Sequence, residues 1–249
     1  MREINTYKEF KNANWKGDSI PKWILKTGPM SVENLPETVI NTYNNILKDN
    51  EGYELFYFSD SDCIAYIIDN YGEDYLNTYN SIIPGAYKAD FWRYLILYKH
   101  GGCYCDFSQE ILVPLDDIIK DVDAVFVEEM SWFLYNGFIC VKPNNPVLEI
   151  AISKCKHNID NKIYGSNSLD ITGPHVLGKA FTELYKKQTI NVGVNDGVKI
   201  LRNDPFDDYI FNEKDEKVIR RKIKEHSGLV HGGGPHYLQS WFDKNVFEK

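Results

Sequence analysis

The chain has 249 residues, 43% hydrophobic and 26% charged, which suits a globular protein with a sizeable core. A formal charge of −8 argues against a nucleic-acid-binding surface, and no stretch approaches the ~20 apolar residues of a membrane span. Five cysteines without a CxxC pair indicate neither a disulfide scaffold nor a zinc ribbon, and the polar start lacks a signal-peptide core, so a cytoplasmic location is expected.

Residues 1–18 read as a short helix or a loosely docked arm. Residues 20–27, IPKWILKT, read as the first strand, closed by Gly28 and Pro29. Pro36 opens a helix over 36–47, where Val39, Ile40, Tyr43 and Leu47 recur at three-to-four spacing. A second strand over 53–58 ends in Ser59 and Asp60, a helix cap, and helical segments follow near 61–70 and 72–80.

Residues 85–110, GAYKADFWRYLILYKHGGCYCDFSQE, organise the rest. The first part predicts a buried helix of about three to four turns, and Asp90 and Arg93, at i and i+3, leave it on one side. Gly101 and Gly102 stop it. A strand is then expected in which Cys103, Cys105 and Phe107 face one way, while Tyr104, Asp106, Ser108 and Glu110 face the other.

Further on, short strands are expected near 123–127, 135–141 and 198–202, with helices over 147–156 and 176–185. The basic residues Arg220, Arg221, Lys222 and Lys224 lie in a polar segment, 212–226, and read as a solvated helix face. Strands alternating with helices predict an α/β fold with a largely parallel central sheet flanked by helices. Ligands bind such sheets beyond the carboxyl ends of the strands, where Asp106 lies. No repeat or linker divides the chain, so residues 1–249 are read as one domain, with an N-terminal arm (1–18) and a C-terminal tail (228–249).

The central run resembles the signature of the DxD-type sugar transferases of glycosyltransferase family 32, which include yeast initiating mannosyltransferases and capsule-synthesis enzymes. Their pattern, A-x-x-x-D-x-x-R-Y-x-x-L-Y-x-x-G-G-x-Y-x-D-x-D, is met by Ala86, Asp90, Arg93, Tyr94, Leu97, Tyr98, Gly101, Gly102, Tyr104 and Asp106. The second Asp of the DxD is here Ser108. Thr172-Gly173-Pro174 resembles the family's TGP element, and His236 followed by Ser240-Trp241 resembles its C-terminal end.

The resemblance implies a GT-A-like domain and a retaining transfer of a hexose-type sugar from a UDP- or GDP-sugar to a glycan or other hydroxyl acceptor. It implies that Asp90, Arg93 and Asp106 are the catalytic residues, and that Trp23, Lys26, Thr27, Tyr104, Ser240 and Trp241 contact the donor. A Mn²⁺ or Mg²⁺ ion would be held by Asp106 and Ser108, with His236 or His231 completing the shell. Ser108 offers only a neutral hydroxyl, and Glu110 lies about 13 Å further along an ideal strand, so a weakened metal site is expected. Glu128, Glu129 and Trp132 are candidates for an acceptor pocket. Two alternatives stay open: a nucleotide-sugar or glycan-binding protein without turnover, and a nucleotide-sugar hydrolase or nucleotidyltransferase.

Overall fold

Local signals in the sequence set most element boundaries. In the computed structural model, which describes residues 4–130, 132–204, 206–226, 229 and 236–248, the chain begins with α1 (Tyr7–Phe10), β1 (Trp23–Thr27), α2 (Glu37–Asp49), β2 (Glu54–Phe58) and α3 (Asp60–Asn80). It continues through α4 (Gly85–His100), β3 (Gly102–Cys105), β4 (Glu110–Ile111), α5 (Leu115–Ile119), β5 (Ala124–Glu129), β6 (Phe133–Val141) and α6 (Pro146–Asp160). Then come α7 (Pro174–Tyr185), β7 (Gly193–Asn195), β8 (Val198–Asn203), β9 (Tyr209–Phe211), β10 (Lys217–Arg220) and α8 (Tyr237–Phe242). Ser59 caps α3 through a capping box: its hydroxyl accepts the Asp62 N–H while the Asp62 carboxylate accepts the Ser59 N–H. Gly72, at φ +80, breaks α3 between the two helical segments read from the sequence. Among the described residues no helix is long and apolar enough to cross a membrane.

The strands form one sheet in the order β2-β1-β3-β6-β5-β8-β9-β10-β4, with β7 paired to β8. β1 is parallel to β2 and β3, and β5 is parallel to β8, while β6 is antiparallel to both β3 and β5. Only β6 therefore runs against the other central strands, and the largely parallel centre expected from the sequence is present. Beyond β8 the pairing turns antiparallel. Tyr104 packs into the cluster that α3, α4, α6 and α7 build on one face; Cys103 and Cys105 enter the cluster that α2 and α5 build on the other. All five cysteines are buried and free.

Two expectations are corrected. The strand read over 103–110 stops at Cys105, and the chain turns, the Gln109 N–H donating to the Asp106 carbonyl at 3.0 Å. Glu110 then joins β4 at the far end of the sheet, where its carboxylate takes Arg220 at 2.8 Å, so it stays out of the site. The polar segment 212–226 is not a helix face: β10 buries Val218 and Ile219, and Arg221 donates to the carbonyls of Asp204 and Asp207. The N-terminal arm is docked through buried Tyr7 and Phe10, and Asn5 bridges to Phe56 of β2.

Candidate active site

Because β1, β2, β3 and β5 run the same way, their carboxyl ends share one edge of the sheet. A cleft of about 580 Å³ opens there, lined among others by Thr27, Gly28, Asp60, Asp90, Arg93, Tyr104, Asp106, Ser108 and Glu129. α4 brings Asp90 and Arg93 to it from one face; Asp106 follows directly on β3. The Gly-Gly break makes this possible: Gly101 at φ +69 and Gly102 at φ +106 fold the helix back onto its strand in conformations open to residues without a Cβ.

Arg93 is the hub. Its guanidinium lies 3.2 Å from Asp90 Oδ1 and 3.3 Å from Asp106 Oδ1, donates to the Asn136 carbonyl at 2.6 Å and to the Ala89 carbonyl at 3.2 Å, and stacks 4.4 Å from the Tyr104 ring. Two hydrogen bonds to carbonyls and two ion pairs to carboxylates thus hold it, so it braces two carboxylates more than it reaches for a ligand. Asp90 is gripped from three elements: Arg93 on its own helix, Asn136 Nδ2 from β6 at 2.8 Å, and Thr172 Oγ1 before α7 at 3.0 Å. Burial pushes the Asp90 carboxyl up to about 6 even though Arg93, Thr172 and Asn136 act to lower it. Burial also works against the Arg93 charge, yet Tyr104, Asp106 and Asp90 hold its pKa above the ordinary arginine value. The carboxyl, not the guanidinium, is the member of this pair that titrates.

Asp106 shares its Oδ1 between Arg93 and the Tyr104 hydroxyl, which donates at 2.8 Å. Its Oδ2 is turned toward Gly137, where an added Cβ would collide with it and with Tyr135 Oη. Ser108 lines the same cleft. Among the described residues no group of three His, Cys, Asp or Glu side chains is arranged to hold a metal ion. One open carboxylate oxygen and one hydroxyl cannot cage a divalent cation alone. They do fit a cation that draws most of its ligands from a diphosphate.

The remaining expected residues divide. Thr27 lines the cleft, with its hydroxyl donating to the Phe58 carbonyl at 2.8 Å. Glu129 lines it too, its pKa raised by burial against the pull of Arg221. Trp23 stands at the opposite end of β1, packed on Phe10 and Phe56 in the core and outside the cleft lining. Lys26 is fully buried and its ammonium serves backbone carbonyls beneath the site, which overturns its reading as a nucleotide contact. Glu128 and Trp132 lie outside the cleft lining, Trp132 being 63% exposed. Exposed His236 caps α8, its Nδ1 accepting the Leu238 N–H at 3.3 Å, and Ser240 is buried in that helix. Trp241 donates to the Tyr164 carbonyl at 2.8 Å and does not cap the cleft. Within that helix it is Tyr237 that reaches the cleft. His231 lies outside the described residues.

Asn136, Thr172 and Tyr237 were not legible as site residues. Asn136-Gly137 in the middle of the apolar run FLYNGFICV was the available signal, since a polar side chain and a glycine both weaken a buried strand.

Residues 36–125 match a sequence family described as "Glycosyltransferase sugar-binding region containing DXD motif". The chain is 27% identical over 175 residues to an uncharacterized glycosyltransferase of Acanthamoeba polyphaga mimivirus, covering 69% of this chain and 68% of that one. It is 26% identical to inositol phosphoceramide mannosyltransferase 1 of Schizosaccharomyces pombe, over 52% of this chain and 42% of the relative. With the initiation-specific alpha-1,6-mannosyltransferase of Candida albicans it shares 28% identity over 51% of this chain and 34% of the relative. The match thus spans less than half the length of either fungal protein.

Proposed function

We propose that this chain, whose residues 36–125 match a family described by a DXD-type glycosyltransferase sugar-binding region, transfers a hexose-type sugar from a UDP- or GDP-sugar to a glycan or other hydroxyl acceptor, with retention of configuration. The meeting of Asp90, Arg93 and Asp106 in one cleft at the carboxyl edge of the sheet supports this best. Mannose is the first sugar to test, because two fungal relatives are named mannosyltransferases.

Asp90, held by Arg93 and Asn136 at Oδ1 and by Thr172 at Oδ2, keeps one lone-pair site on Oδ2 for a donor-sugar hydroxyl and fixes the sugar against its leaving group. Thr27, Gly28 and Asp60 form the end of the cleft nearest β1 and β2, where the nucleotide lies. Asp106 and Ser108 face the diphosphate. A Mn²⁺ or Mg²⁺ ion held by them and the phosphates would offset charge on the leaving group. A retaining transfer needs no side-chain base for the acceptor, and none is assigned. The buried, unpaired cysteines suit a reducing, cytoplasmic setting.

A second reading, nucleotide-sugar binding without turnover, is favoured by Ser108 alone. Incubation with a panel of nucleotide sugars and Mn²⁺, following release of the nucleoside diphosphate, separates the two. Release with one donor, abolished by Asp106→Ala, is expected. Binding of a donor without any release would select the second reading.

A further inference from the structure

The turn that carries Asp106 and Ser108 has every one of its carbonyls occupied from the protein side. Lys26 Nζ donates to the carbonyls of Asp106 at 2.9 Å, Gln109 at 3.1 Å and Cys105 at 3.5 Å. The Tyr43 hydroxyl takes the Phe107 carbonyl at 3.2 Å, and the Ile223 N–H takes that of Ser108 at 2.9 Å. One ammonium thus gathers three of five consecutive carbonyls, and it does so from β1, 80 residues earlier than Asp106.

Lys26 is 0% exposed, stands over the Tyr43 ring at 4.8 Å, and among the described residues has no carboxylate within ion-pair distance. A buried ammonium without an ion-pair partner is costly, and burial lowers the Lys26 pKa although the Asp106 and Glu110 carboxylates act to raise it; an apolar side chain of similar length is often no less stable in such a place. Sheet stability therefore does not account for a lysine here. The position of the turn does: carbonyls converging on one point beneath it leave the Asp106 carboxylate and Ser108 hydroxyl to the cleft.

We propose that Lys26 is a positioning residue for the transferase reaction, holding the 105–109 turn so that Asp106 and Ser108 are fixed toward the donor diphosphate. The inference rests on the transferase reading for its purpose, though the clamp itself can be tested without substrate.

The test compares Lys26→Met with the wild-type chain by amide hydrogen exchange, using β1 and β3 as internal references. Exchange across 105–109 is expected to quicken roughly tenfold or more while β3 keeps its protection. Release of nucleoside diphosphate from the active donor is expected to lose roughly tenfold or more in kcat. The donor KM is expected to change less than kcat, because the cleft lining at Gly28 and Asp60 does not depend on the turn. Unchanged exchange in the turn would overturn the proposal. So would a uniform rise over β1, β3 and the turn, since Lys26 would then hold the sheet and not the turn. Should Lys26→Met fail to fold, the wild type decides: turn amides as protected as those of β3 support the clamp, and amides as quick as open loops reject it. A wild-type chain that releases nothing from any donor strikes at the transferase reading and leaves the exchange result standing.

Discussion

At Asp90, burial and charge pull in opposite directions. The folded-state pKa of about 6 lies above the ordinary 3.8, so the native chain binds this proton more tightly than the unfolded one. That gap, about two units, corresponds to on the order of 3 kcal/mol, fully present below pH 3.8 and lost as the pH rises through 6. Asp90→Asn cannot ionise and escapes the loss. Its melting temperature relative to wild type is therefore expected to be higher at pH 8 than at pH 4, measured by thermal unfolding; the same offset at both values would contradict the burial argument. On the proposed function the ionised form is the one that holds a sugar hydroxyl, so wild-type kcat/KM is expected to fall as the pH drops through about 6. Asp90 and Arg93 were legible as site residues through the family pattern that the central run resembles, while their i,i+3 spacing said only that they leave the helix on one side. Their partners were not: Asn136 reaches Asp90 from 46 residues away and Thr172 from 82. The Asn136-Gly137 pair and the Thr172-Gly173-Pro174 turn are local signals, but neither says that the two side chains meet Asp90.

The helix, its Gly-Gly stop and the strand behind it form one unit, and the sequence described that unit well up to Cys105. Its end was misread for a physical reason. In the turn Phe107 still goes into the core between Tyr43 and Tyr57, while Asp106 and Ser108 still face the cleft. The alternation of apolar and polar residues therefore outlasts the strand. What ends the strand is non-local: Lys26 drawing in carbonyls from β1, and β4 leaving to pair with β10. β6 is tied to this unit through Gly137, whose carbonyl accepts the Asp106 N–H at 2.9 Å. The three atoms nearest a methyl group at Gly137 belong to side chains, Asp106 Oδ2 and the Tyr135 phenol. Gly137→Ala is accordingly expected to fold, with these two side chains pushed aside. Donor turnover should fall by roughly tenfold or more, as a misplaced catalytic group implies, with a melting temperature within a few degrees of wild type. Normal turnover in this variant would mean that the placement of the Asp106 carboxylate is not what limits the reaction.

Across the whole molecule, the order of the strands decides which distant segments meet. β6 inserts between β3 and β5, and the arm after α8 returns to the junction of α3 and α4. There the Ile83 N–H donates to the Val246 carbonyl and the Glu248 N–H to the Ser81 carbonyl, each at 2.8 Å. Helix α8, just before this arm, gives two aromatic residues different work. Tyr237 stands edge-on to Tyr87 at 5.7 Å and lines the cleft with it. Trp241, one turn on, hydrogen-bonds to the Tyr164 carbonyl and is covered by Lys244 at 4.3 Å. Resemblance to the sugar transferases assigns the donor contact to Trp241, whereas of the two residues Tyr237 is the one that lines the cleft. Trp241→Phe is therefore expected to lower stability by about 1 kcal/mol, the worth of one hydrogen bond, and to leave the donor KM within about threefold of wild type. Tyr237→Ala is expected to raise the KM for donor or acceptor severalfold with little change in melting temperature, since its ring borders open space. Paired thermal melts and saturation kinetics on the two variants check this directly, and a reversed pattern would return the donor contact to the tryptophan.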